Sequence, residues 1–85
     1  MKLKIITTKR AIEYEVDWVE LNTPVGNMVI QQGHAPIMIE LTQGNELLYQ
    51  IADGAVESIL IVQGIAHVTR AEVKILLPMD LWTFL

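Results

Sequence analysis

Residues 46–62 read Glu46-Leu47-Leu48-Tyr49-Gln50-Ile51-Ala52-Asp53-Gly54-Ala55-Val56-Glu57-Ser58-Ile59-Leu60-Ile61-Val62. Two apolar runs, Glu46 to Ile51 and Val56 to Val62, flank Ala52-Asp53-Gly54-Ala55. Asp-Gly between such runs is the strongest hairpin signal in the chain, because a type I′ turn needs positive φ at both central residues. The segment predicts two antiparallel strands joined at Asp53-Gly54 by a type I′ turn.

The same punctuation continues on both sides. Towards the C-terminus, Gly64 breaks the run before Ile65, Ala66 and Val68. Thr69 to Glu72 then turns, and Val73 to Leu77 is a last strand stopped by Pro78. Towards the N-terminus, Thr42-Gln43-Gly44-Asn45 is a turn and Ile37 to Leu41 is strand-like. Gln31-Gln32-Gly33-His34-Ala35-Pro36 is a loop, Met28 and Ile30 begin a short strand, and Asn22-Thr23-Pro24-Val25-Gly26 is turn chemistry. Tyr14, Val16 and Trp18 alternate with Glu13, Glu15 and Asp17, but Val19 and Leu21 are apolar where polar residues are due. A slip of one residue reads as a β-bulge or bend near Trp18. Leu3, Ile5 and Thr7 alternate with Lys2, Lys4 and Ile6. Turn signals recur every eight to twelve residues, the spacing of a sandwich or barrel. No window sustains a helical apolar stripe, and only Met79 to Leu85 is ambiguous. The chain reads as all-β, one domain over residues 1–85.

Composition sets limits on function. Eighty-five residues make one domain, and a chain this short buries only about 60% of the surface it exposes unfolded. With 52% hydrophobic residues, disorder is not expected. There is no cysteine, hence no disulfide framework and no thiolate chemistry. Net charge is −4. Lys2, Lys4, Lys9 and Arg10 are the one basic cluster and carry no interleaved aromatics, so nucleic-acid binding is not expected. No apolar stretch approaches the roughly 20 residues of a membrane helix, and no secretory signal opens the chain. A soluble protein that reaches a membrane only through a partner is the expectation.

The residues offer no catalytic constellation. His34 and His67 lie 33 positions apart without a metal-ligand spacing, so no metal site is expected. Ser58, the only serine, lacks an elbow glycine pattern and an adjacent base. The five glycines are scattered and form no phosphate or nucleotide loop. No cofactor is expected. Glu13, Glu15 and Asp17 share one strand face, read either as a solvated face or as a steering strip for a basic partner. Trp18 reads as a core aromatic. His67 reads as a surface residue.

Several segments resemble the N-terminal β-sandwich domain of the epsilon subunit of F-type ATP synthases, in order over nearly the whole chain. Met1-Lys2-Leu3-Lys4-Ile5-Ile6-Thr7 is similar to that family's first strand. Glu15-Val16-Asp17-Trp18-Val19-Glu20-Leu21 resembles its second, commonly GEVEAVTLPT. Gly26 to Pro36 resembles the segment commonly written GEIGILPGHAP, and its most recognisable part, Gly33-His34-Ala35-Pro36, is intact. Gly44 stands at the glycine of the family's L-x-x-G-x-L turn. Val62 to Thr69 resembles SGGFLEVT, and Val73-Lys74-Ile75-Leu76 resembles VTVL. Val29, Gln32, Asn27 and Gln63 depart from the family's usual glycine, proline, glutamate and glycine. Most family members continue into a two-helix C-terminal domain, so the resemblance implies a short form or an excised domain.

The resemblance implies a sandwich of two antiparallel sheets with about ten short strands. It implies a non-catalytic rotor (central-stalk) subunit that packs on the gamma subunit and touches the c-ring, coupling ion translocation to ATP synthesis. It places the protein peripherally at the cytoplasmic face of the inner (plasma) membrane. Asn27, Gly33, His34, Ala35 and Pro36 are the partner-binding residues it implies, with His34 either an interface residue or simply part of the turn. The alternative is a free-standing β-sandwich interaction module that shares only the fold. Leu81, Trp82, Phe84 and Leu85 are apolar enough that they are expected to fold back on the sandwich or to dock on a partner.

Overall fold

The computed structural model describes residues 1–78, and the expectation for the tail lies outside them. Eight strands are described and no helix: β1 (Lys2–Ile6), β2 (Ala11–Thr23), β3 (Gly26–Ile30), β4 (Ile37–Glu40), β5 (Glu46–Ile51), β6 (Val56–Leu60), β7 (Ile65–Val68) and β8 (Glu72–Leu76). The all-β sandwich is as expected. About ten strands were implied and eight are described; residues 31–36 and 41–45 connect strands without forming strands of their own.

One sheet runs β4-β7-β8-β1-β2 and the other pairs β3 and β5 with β2, with β6 outside β5. The 13-residue β2 belongs to both. It changes sheet where its register against β5 slips, between Val16 and Trp18. Before the slip Ile12, Tyr14 and Val16 point inward, and after it Val19, Leu21 and Thr23 do. The phase slip in the sequence is therefore a bulge at Asp17, which turns one strand into the corner of the sandwich. One pairing departs from the antiparallel expectation. β1 runs parallel to β8, with Lys2 opposite Glu72 and Ile6 opposite Leu76, so the first strand joins the last described one.

The core lies between the sheets. Leu3, Ile5, Ala66, Val68, Val73 and Ile75 come from one side, and Val19, Leu21, Ile30, Leu47, Tyr49 and Ile59 from the other. Each position alternates with an outward neighbour, as the pleat requires. Tyr49 is the largest fully buried side chain. Its ring centroid is 5.2 Å from that of Tyr14 at a 32° tilt, within the range of favourable aromatic pairs. Its hydroxyl donates to Glu57 Oε2 at 3.4 Å. Burial, then the neighbouring Tyr14 and Glu57, push the phenol pKa well above its ordinary value, so it stays protonated as a donor.

Two local expectations are corrected. Trp18 is not a core residue: it sits after the bulge on the outward phase, half-buried, and its Nε1 donates to Gln50 Oε1 at 2.8 Å. The hairpin at Asp53-Gly54 forms, but not with a type I′ turn. Ile51 N donates to Ala55 O, leaving a loop of three residues, and only Asp53 has positive φ, 57°.

Candidate partner-binding surface

The loop Gln31 to Pro36 leaves β3 in one sheet and enters β4 in the other. Gly33 takes φ of +86°, a backbone that L side chains seldom adopt. That lets the chain turn tightly enough for His34 N to reach Gln31 O at 3.1 Å. The loop is fastened to the turn between β7 and β8. Gly33 N donates to Arg70 O at 2.9 Å, and the Arg70 guanidinium returns a bond from Nη1 to Gly33 O at 3.0 Å. That turn is itself shaped by Thr69, whose Oγ1 accepts from Ala71 N and Glu72 N. Gly33 is thus held by both its N–H and its C=O, and the loop is fastened to the β7–β8 turn.

His34 is half-buried. Its Nδ1 lies 2.7 Å from Ala35 O. A carbonyl only accepts, so Nδ1 carries a proton in this contact. Ala35 and Pro36 are exposed beside it. Gly33, His34, Ala35 and Pro36 are therefore brought together on one surface. Asn27 is not with them. It lies at the other end of β3, exposed and opposite Asn22, and its Nδ2 donates to Asn22 Oδ1 at 3.3 Å. Asn22 in turn donates to Glu46 O at 2.9 Å. The candidates thus divide into a fastened loop and a single residue at the far end of its strand.

The sequence reading missed Arg70 and Asn22. Both act through pairings between segments distant in the chain. Only Arg70's position inside a tight turn between apolar runs marked it as exposed.

Two of the acids on the outer face of β2, Glu13 and Glu15, have partners within the domain. Glu13 lies 3.8 Å from Lys2 Nζ and 3.9 Å from Lys4 Nζ. Lys4 and Lys74 reach Glu72 at 3.4 and 3.5 Å, and the N-terminal amine meets Glu15 at 2.9 Å. Slight desolvation pushes the Glu72 carboxyl upward, but Lys4 and then Lys74 outweigh it and hold its pKa below the ordinary value. Lys2 and Lys4, half of the basic cluster, are spent in this ladder. His67 faces the same side, opposite Lys74 and Met38. Among the described residues no three His, Asp or Glu side chains converge as a metal site would need.

A family model described as ATP synthase, Delta/Epsilon chain, beta-sandwich domain matches residues 1–78. The chain belongs to this family. A chain of the Euglena gracilis mitochondrial ATP synthase (OSCP/F1/c-ring, rotational state 1) superposes with a TM-score of 0.83 at 21% identity, covering 96% of this chain and 51% of that one. A chain of the Tetrahymena thermophila mitochondrial ATP synthase central stalk and c-ring gives 0.75 at 15% identity, covering 94% and 63%. At these identities the likeness is one of fold, and this chain spans between half and two thirds of their length. No curated protein matches the sequence.

Proposed function

We propose that the chain is a non-catalytic component of the central stalk of an F-type ATP synthase. It would join the gamma subunit to the c-ring and keep rotation from being lost as slippage while ion flow drives ATP synthesis. It would sit peripherally on the membrane at its cytoplasmic face, held there by the complex. The observation that carries this reading is membership of the delta/epsilon family over residues 1–78. The fastened loop supports it further. A contact that transmits torque needs a stiff surface, and the loop is fastened at Gly33 through both its N–H and its C=O. Preorganisation of that kind lowers the ordering cost of binding.

The test is a pull-down of the native protein from membranes, with affinity for the gamma subunit of the same source measured for variants. The chain is expected to co-purify with gamma. His34→Asp is expected to weaken gamma binding by about 1 kcal/mol or more, roughly fivefold in Kd, with an unchanged melting temperature. Binding by His34→Asp equal to the parent removes the loop from the contact and leaves the family role standing. A chain that never co-purifies with gamma overturns the role itself, in favour of a free-standing interaction module on the same fold.

A further inference from the structure

All six basic residues lie in two short stretches, Lys2 to Arg10 and Arg70 to Lys74, and residues 11–69 hold eight carboxylates with no lysine or arginine. The fold turns that separation into an asymmetry between its two sheets. Lys2, Lys4 and Lys74 stand on β1 and β8, where Glu13 and Glu72 engage them. The sheet β3-β2-β5-β6 is drawn from residues 16–60, so it has no base of its own. Its inward positions are taken by Val19, Leu21, Leu47, Tyr49 and Ile59, which leaves Trp18, Glu20, Glu46, Leu48 and Val56 on the outer face. Glu20 lies across from Val29 on one side and from Leu48 on the other. Trp18 lies across from Gln50, to which its Nε1 donates, and Gln50 from Val56. Val29 is 48% exposed and Val56 51%. The face is therefore an apolar strip flanked by Glu20 and Glu46, neither of which has an ion pair among the described residues. An aromatic and aliphatic centre with a charged rim is the anatomy of a protein contact.

We propose that the outer face of β3-β2-β5-β6 docks on a basic protein surface of the rotor, one that presents lysine or arginine to Glu20 and Glu46 and covers Trp18 and Leu48 with apolar side chains. The inference rests on the central-stalk reading for where that surface is found, and it concerns a contact separate from the loop at Gly33. Charge selects the occupant. The phosphates of a nucleic acid or an acidic lipid would meet unpaired carboxylates. A second copy would offer a matching face of the same sign, and its Lys2, Lys4 and Lys74 are already engaged within its own ladder. Four strands about 4.8 Å apart and about five residues long give a face of roughly 14 by 17 Å. A stand-alone contact buries about 800 Å² on each partner, so this face suits a chain held at more than one place in a larger assembly.

The test measures binding of the 85-residue chain to the rotor of the same source, gamma with its c-ring, at low and high salt. The parent is compared with Glu20→Gln/Glu46→Gln and with Glu20→Lys/Glu46→Lys. Charge reversal is expected to raise Kd roughly tenfold or more, and neutralisation to raise it less. Parent affinity is expected to fall with added salt, and the glutamine variant to lose part of that dependence. Circular dichroism should be the same for all three. If the lysine variant does not fold, the near-isosteric glutamine variant decides, together with Val56→Asp and Val56→Lys at an exposed position, where Lys is expected to bind more weakly than Asp. A parent that binds the rotor with every variant alike overturns the inference and leaves the central-stalk reading standing. Tighter binding on charge reversal reveals an acidic partner surface and overturns it as well. A dimer of the free chain in sedimentation that Val56→Lys abolishes assigns the face to a second copy, with the same consequence. A parent that never binds the rotor overturns the central-stalk reading and this inference with it.

Discussion

Gly64 has no room for a side chain. A Cβ there would stand 2.8 Å from Leu77 Cδ2 and 3.2 Å from Leu76 O. Gly33 is the opposite case: open space lies around it, but its φ of +86° strains any L residue. Gly64→Ala should cost about 1–3 kcal/mol through overpacking, and Gly33→Ala about 1–2 kcal/mol through backbone strain. In thermal melts each kcal/mol corresponds to about 4–8 °C for a domain of this size. The two mechanisms separate in a double-mutant cycle. Leu77→Ala removes the closer clash, so Gly64→Ala should cost less in that background, whereas Gly33→Ala should cost the same. Equal coupling for both glycines would contradict this account. At this scale the sequence marked the residues better than their conformations. Asp53-Gly54 announced the hairpin, yet loop length decided which residue took positive φ, and Asp53 took it. The loop motif pointed to Gly33 and His34, while Arg70, which fastens them, was hidden because its partner is 37 residues away.

Within the elements, alternation was legible wherever one face meets the core and the other meets water. The slip after Val16 was readable as a bulge, though it gave no sign that the strand changes sheet there. Trp18 was misread because hydrophobicity alone does not tell which phase follows a bulge. Nor did three acidic residues on one face reveal that Lys2 and Lys4 of β1 would lie beside Glu13. That ladder makes a prediction about pH. Lys4 and Lys74 outweigh slight desolvation and hold the folded-state pKa of Glu72 below the ordinary carboxylate value, so ionisation favours the folded state. The contribution is present in full above the unfolded-state pKa and is lost as pH falls through the lower folded-state value. Glu72→Gln should therefore melt below the parent at pH 7, and the gap should close as pH is lowered beneath about 4. Added salt should narrow it at neutral pH, since the pairs are partly exposed. A gap that widens on acidification would show that Lys4 and Lys74 do not set the carboxyl's behaviour.

For the molecule as a whole, two connections decide cooperativity. β1 lies between β8 and β2, so among the described strands β4-β7-β8 is hydrogen-bonded into the rest of the fold through β1. β2 then carries that sheet into the other one. Neither sheet can keep its inner face dry alone, because Leu3, Ile5 and Ile75 pack into the same cluster as Leu47, Tyr49 and Ile59. Damage to β1 should therefore be felt in β5. Ile5 is fully buried, and Ile5→Ala should cost about 2–5 kcal/mol. That is a large share of the roughly 5–15 kcal/mol a folded domain has in total. Under native conditions the amides of Leu47 and Tyr49, in the opposite sheet, should then exchange faster by the same free energy as those of Val73 and Ile75. Circular dichroism and tryptophan fluorescence should trace a single transition. If instead β5 and β6 kept their protection while β7 and β8 lost theirs, the sandwich would be two units joined at β2. The bulge at Asp17 would then be a hinge between them. The single-unit outcome is favoured because the bulge adjoins Val16 and Val19, both buried in the shared core, so bending there would open the one apolar cluster that both sheets need.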